Sequence, residues 1–159
     1  MISIEGIMGS IFAYGTGCVA LISVLAISPM TSSAAVNSSL DVSITGKRSA
    51  KGNMLVCLTA NPKAFPDCSK DPNAQNAKVT ASGSATVHFD GIAPGAYAIS
   101  MIHDENGNGK MDMRVFLPKE GFGFSRNPAI TFGPPKFGAA SFKVAAGANS
   151  QSVKIKYML

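Results

Sequence analysis

The sequence predicts an all-β domain, an antiparallel β-sandwich of about seven strands. Three observations support this prediction. Apolar and polar residues alternate in several short segments, which is typical of strands with one buried face. Turns rich in glycine and proline separate these segments, and no long amphipathic helix interrupts them. The chain of 159 residues, 46% of them hydrophobic, is long enough for one domain with its own core.

The predicted strands follow one another along the chain. They are centred on Leu40–Ile44, Met54–Thr59, Ala85–Phe89, Ala96–His103 and Val153–Tyr157. Most of them alternate, whereas Met54–Thr59 is a continuous apolar run that fits a strand buried on both faces. Ser141–Val144 suggests a further strand near the end, and the strand order cannot be deduced from these patterns.

Residues 104–139 break the alternation and form a long irregular segment in which glycine, proline and phenylalanine dominate. Irregular segments of this length in compact domains are commonly functional. Its rings are Phe116, Phe122, Phe124, Phe132 and Phe137. They form either an apolar rim of a ligand groove, with Lys119 and Arg126 nearby, or a plug that closes the open end of the sandwich.

Residues 1–35 have the order of a secretory signal peptide: the apolar stretch Ile11–Ile27, a helix-breaking Ser-Pro, and small residues up to Ala35. We expect cleavage after Ala35, which leaves residues 36–159 as a periplasmic or extracellular domain with no transmembrane segment. The leader carries Glu5 and no Lys or Arg, and translation from Met8 would remove this acid. The alternative is an uncleaved membrane anchor, but the apolar stretch Ile11–Ile27 is shorter than the roughly 20 residues that a membrane span needs.

Two cysteines remain after the leader, Cys57 and Cys68. An even pair in a small exported domain predicts a disulfide, because the compartment is oxidising. Closing so short a loop would stabilise the fold by about 3 kcal/mol in the chain-entropy model.

The charge pattern argues against nucleic acid as a partner. The net charge is +5, but the basic residues are scattered and the densest group is only Lys47, Arg48 and Lys51. A nucleic-acid surface collects its charge on one face beside aromatics or a reading helix. Attraction to anionic envelope lipids is an alternative to a simply solvated surface.

The segment Asp104–Asp112 has the residue types of a calcium-binding loop. Asp104, Asn106, Asn108 and Asp112 stand at loop positions 1, 3, 5 and 9, with glycine at position 6. Calcium takes about six to eight oxygen ligands, and the main-chain carbonyl of Lys110 would be the ligand at position 7. This spacing predicts a metal site.

The loop is incomplete, because Val115 stands where the bidentate glutamate of position 12 belongs. Glu120 is the nearest later carboxylate. With two charged ligands we expect a Kd on the order of 0.1–1 mM. The alternative is a glycine-rich turn whose Asn and Asp side chains bond their own backbone.

Two other classes of function are open. His103 beside Asp104 suggests a periplasmic hydrolase, although no serine stands in a Gly-x-Ser-x-Gly elbow. Met101, Met111 and Met113 could gather with His103 around copper(I), or simply fill the core. We assign no catalytic residue.

Four segments in order, Pro94–Tyr97, His103–Lys110, Pro118–Ser125 and Phe132–Pro135, resemble an exported bacterial family. The family is catalogued as domain of unknown function 2141, and the likeness runs from about Leu40 to Tyr157. It implies a β-sandwich, immunoglobulin-like or transthyretin-like, from a Gram-negative bacterium and without an established activity.

The chain departs from the family pattern at Phe122, where tyrosine is expected, and at Met113–Leu117, which places any ligand beyond Asp112 in doubt. Transthyretin-like hydrolases share the architecture, but their active-site signature is absent and fold alone does not imply their chemistry. The sequence therefore predicts a binding or envelope-structural module, whose partner is an unidentified ligand or envelope component.

Overall fold

The computed structural model describes residues 38–83, 86–131 and 133–159. The predicted signal peptide and its cleavage after Ala35 lie outside the described residues, as does Phe132. All statements below concern the described part of the chain.

This part of the chain is all-β, with ten strands, one short α-helix and one 3₁₀ turn (Cys68–Lys70). The strands and the helix, in chain order, are β1 Ser38–Thr45, β2 Asn53–Thr59, β3 Gln75–Thr80, β4 Thr86–Ile92, β5 Gly95–Asp104, β6 Met113–Arg114, β7 Leu117–Pro118, β8 Gly121–Phe124, α1 Phe137–Ala140, β9 Phe142–Val144 and β10 Ala148–Lys154. Segment 104–139, which the sequence predicts to be irregular, thus holds three short strands and the helix.

Two larger sheets and one hairpin contain these strands. The first sheet has the order β10–β1–β4, and the second has the order β3–β2–β5–β8 with β9 also paired to β5. Strands β6 and β7 form a separate hairpin. The pairs are antiparallel, as predicted, except for β1 and β10, which run parallel. A parallel pair needs a long crossover, and here every strand of the second sheet lies between β1 and β10 in the chain.

Both sheets bury one face in the same apolar core. In β1 the predicted alternation is confirmed: Leu40, Val42 and Ile44 are buried, and the residues between them are exposed. The second sheet faces them with Met54, Val56, Leu58, Ile99 and Met101. Each such side chain stabilises the fold by about 1.5–3 kcal/mol when fully buried.

The predicted disulfide is present between Cys57 and Cys68. It joins β2 to the 3₁₀ turn in the loop that follows, and both cysteines are buried. The loop that leads to β3 is therefore held against the outer face of the second sheet.

Candidate functional site

Asp104 organises the loop that the sequence singles out. Strand β5 ends at this residue, and its carboxylate is fully buried. Oδ1 accepts hydrogen bonds from the main-chain N–H groups of Gly107, at 2.8 Å, and Asn108, at 3.1 Å. Oδ2 accepts one from Gly109, at 2.8 Å. Gly109 has a φ of 80°, which favours glycine and lets the backbone curl around the carboxylate. Asp104 therefore acts as a cap for the loop.

Asp112 closes the loop from its other end. Its carboxylate accepts hydrogen bonds from the side-chain amides of Asn108, at 3.0 Å, and Asn106, at 2.7 Å. These two donors hold the pKa of the Asp112 carboxyl below its usual range, the Asn108 amide most strongly. Lys110 is exposed, and its main-chain N–H donates to the Asn108 amide oxygen.

Glu120 joins the two ends of this loop. The carboxylate is buried, and its Oε1 and Oε2 accept hydrogen bonds from the main-chain N–H groups of Glu105 and Asp112, both at 3.2 Å. Neither Asp104 nor Glu120 pairs with a basic side chain of the described chain. Three carboxylates thus border one loop, and their hydrogen-bond donors there are main-chain and amide N–H groups, while Lys119 and Lys110 attract the charge of Asp112 from a distance.

The calcium assignment stays a prediction. Within the ranges that the structure describes, no three His, Cys, Asp or Glu side chains stand together in a way that could hold a metal ion. The five predicted ligands, Asp104, Asn106, Asn108, Lys110 and Asp112, do share one loop. Their hydrogen bonds match the alternative of a turn bonded to its own backbone.

His103 is held in a structural network. The ring is fully buried, with Nε2 at 2.9 Å from the carbonyl of Lys51 and Nδ1 at 2.6 Å from the hydroxyl of Tyr157. Because a carbonyl only accepts, Nε2 is a donor to Lys51, which leaves Nδ1 facing the Tyr157 hydroxyl. The same hydroxyl accepts from the main-chain N–H of Arg48, and burial raises the pKa of Tyr157. Both ring nitrogens are therefore occupied, and neither meets a serine.

An ion pair covers this network. The Arg48 guanidinium lies 4.3 Å from the centroid of the Tyr157 ring and pairs with Glu105. The hydrogen bond from Arg48 is the main cause that lowers the pKa of Glu105. The arrangement shields His103, which gives it the role of a buried hydrogen-bonding group.

The three methionines of the copper alternative have different surroundings, although all of them border one groove. Met101 lies in the core between the two sheets, and Met111 packs against a second apolar cluster that contains Phe122 and Phe124. Met113 is exposed on β6. Among these methionines only Met101 shares the face of β5 that carries His103.

Strand β8 alternates glycine and phenylalanine, and the two residue types face different surroundings. A Cβ atom on Gly121 would lie 2.4 Å from a ring carbon of Tyr157, and one on Gly123 would lie 2.8 Å from the side chain of Val153. Glycine is therefore needed where the carboxyl-terminal residues cross the inner face. Phe122 and Phe124 alternate with them and belong to the second cluster with Ala98 and Ala140, against which Phe65 and Phe137 pack.

A large groove lies over the outer face of the second sheet, and we call it the outer groove. Its volume is about 1190 Å³, which is larger than the roughly 300–1,000 Å³ usual for ligand pockets. The strands supply Leu55, Cys57, Ser100, Ile102, Phe122 and Phe124. The hairpin and the later loop supply Met111, Met113, Phe116, Leu117, Ile130 and Pro134. Lys78, Lys110 and Asp67 are its charged lining residues.

The phenylalanines divide between the two predicted roles. Phe122, Phe124 and Phe137 pack together with Phe65, as a plug would. Phe116 is almost fully exposed at the groove, as a rim would be. The floor residues Leu55 and Ile102 escaped the sequence reading, because in a continuous apolar run the outward positions look like further core residues.

The fold and this surface define an all-β domain with an open apolar groove and a self-capped polar loop. Residues 42–152 match a bacterial family described as an uncharacterized protein conserved in bacteria, DUF2141. The chain belongs to this family, as the sequence resemblance predicts. Searches of the curated proteins and of the solved structures find no match. The described residues include no helix long and apolar enough to cross a membrane.

Proposed function

We propose that this chain is an exported β-sandwich that serves the bacterial envelope as a binding module, with its ligand in the outer groove. The observation that carries the proposal is the groove itself, about 1190 Å³, which is lined by residues of β2, β3, β5 and β8. The core shared by the two sheets supports the sandwich. The disulfide and the leader-like sequence support export, because structural disulfides persist in oxidising compartments.

The lining indicates the class of ligand. Leu55, Ile102 and Phe122 offer an extended apolar floor. Lys78 and Lys110 exceed the single acid, Asp67, in the lining. An acyl chain with an anionic head group matches both properties, because the chain can cover the floor and the head can pair with a lysine.

The same observations weigh against the two alternative functions. A hydrolase would need His103 free to act as a base, whereas both of its nitrogens are bonded and the ring is buried. A copper site would need Met101 and Met111 beside one another, and they lie in different apolar clusters. Binding is therefore the function that the geometry favours.

The Asp104–Asp112 loop is the second part of the proposal, as a weak calcium site. Its support is the buried Asp104 carboxylate, which has no basic partner among the described residues, together with the amide and carbonyl oxygens nearby. Calcium would replace the amide N–H groups that now compensate Asp112, after the Asn106 and Asn108 amides turn their oxygens inward.

A fluorescent fatty acid, dansyl-undecanoic acid, tests the groove. We expect saturable binding with enhanced emission, and roughly tenfold weaker binding by Leu55→Glu, because a carboxylate on the floor would be desolvated by the chain. Thr45→Glu is the matched control, since it adds the same charge to an exposed position of β1. Equal affinity of both variants, or no saturable binding by the wild type, would contradict the proposal.

A further inference from the structure

The β6–β7 hairpin presents an uncovered apolar tip. Met113 pairs with Pro118 and Arg114 pairs with Leu117, so Val115 and Phe116 form the two-residue turn. These two side chains are 82% and 88% exposed. Met113 and Leu117 beside them are also exposed. Contiguous apolar patches on a protein surface often mark sites of interaction.

The backbone at this tip is strained. Val115 has a φ of 57°, a conformation that is a genuine outlier for a β-branched residue. Two-residue hairpin turns of this kind normally use Asn or Gly. This chain has glycine at most of its other described positions with positive φ. The tip therefore keeps an apolar residue at a cost of about 1–3 kcal/mol, although Val115 is 82% exposed.

The charges around the tip are basic. Arg114 and Lys119 are exposed, and the sequence from Met113 to Lys119 contains no acid. The nearest acids are Asp112, whose negative charge attracts Lys119 and Lys110, and Glu120, which is buried under the loop. An apolar tip backed by cations is complementary to a surface that has an apolar interior beneath a negative layer.

We propose that the β6–β7 hairpin is a membrane-docking element that inserts Val115 and Phe116 into the surface of a bilayer of anionic phospholipid. Arg114 and Lys119 then lie at the level of the phosphate groups, where each contributes electrostatic attraction. The hairpin base stays fixed to the domain, because the Lys119 N–H donates to the Asp112 carbonyl at 2.9 Å and the Lys119 carbonyl accepts from Arg48. The domain would therefore dock in one orientation.

The absence of tryptophan from the chain makes the test direct. Phe116→Trp places a single reporter at the tip, and Leu159→Trp places one at another exposed apolar position, outside the outer groove, as the matched control. Both proteins are studied in the processed form that cells produce, so that residues before Ser38 affect them equally. The probes are vesicles of phosphatidylcholine with and without phosphatidylglycerol, some carrying brominated acyl chains.

We expect Phe116→Trp emission to shift to the blue and to be quenched by brominated chains only with phosphatidylglycerol vesicles. Arg114→Gln and Lys119→Gln in this background should each weaken binding about fivefold. Equal responses of the two reporters would indicate nonspecific adsorption and overturn the proposal. A blue shift that rises with protein concentration without vesicles would assign the tip to a second copy of the chain, and no response at all would also refute membrane docking.

Discussion

The Asp104–Asp112 loop and the β6–β7 hairpin are consecutive in the chain, yet opposite in construction. The polar groups of the loop bond to one another: Asp104 and Asp112 together accept five hydrogen bonds, all from N–H groups within the loop. The hairpin leaves its apolar groups in water and bends at a valine rather than a glycine. Internal hydrogen bonds thus account for the conformation of the loop, whereas they do not account for the exposed apolar tip of the hairpin.

This difference separates residues that stabilise the fold from residues whose exposure indicates a binding partner outside the domain. A segment whose groups are all satisfied can be conformationally fixed without a ligand. A segment that combines exposure with backbone strain is stable only because the rest of the domain maintains it. The comparison therefore predicts large losses of stability from changes in the loop and small effects, even gains, from changes in the hairpin.

The largest effect is expected for Asp104→Ala. The substitution leaves the N–H groups of Gly107 and Gly109 without their acceptor, while the Asn108 N–H keeps the Asn106 amide oxygen. We expect the free energy of unfolding to fall by about 3 kcal/mol. Asp104→Asn is the matched control, since one amide oxygen keeps part of the cap. Urea denaturation measures both. A loss below about 1 kcal/mol for alanine would mean that water replaces the carboxylate, and that the loop is not a fixed unit.

The polar loop was easier to predict than the groove, for a physical reason. Side-chain caps depend on neighbours in sequence, so the spacing of Asp104, Asn108 and Gly109 already reveals them. The groove depends on contacts between distant residues such as Leu55, Ile102 and Phe116, which only the strand register brings together. The alternation in β1 predicted its buried face correctly, while the parallel pairing with β10 leaves no local signal.

Calcium sharpens the comparison with a smaller effect. At about ten times Kd, linkage adds roughly 1.4 kcal/mol to the stability of the protein, which should raise Tm by several degrees between EDTA and about 5 mM calcium. Asp112→Asn should remove this rise, because it deletes one of the two charged ligands but keeps an acceptor for the Asn amides. Thermal unfolding with magnesium as a further control measures the effect. If Asp112→Asn still shows the calcium-dependent increase of Tm, or if the wild type shows none up to about 10 mM calcium, the loop is a turn that does not bind the metal.

The smallest change in stability is expected for a substitution in the hairpin. Val115→Asn should raise the free energy of unfolding by about 1 kcal/mol, because asparagine adopts a positive φ more readily than a β-branched residue does. Val115→Ile, the matched control, keeps both the branching and the apolar surface and should leave stability unchanged. Urea denaturation again gives the measurement. If the free energy of unfolding rises for Asn but not for Ile, Val115 lowers the stability of the fold. If it falls for Asn, Val115 makes stabilising contacts, and changes in the hairpin would then destabilise the protein as changes in the loop do.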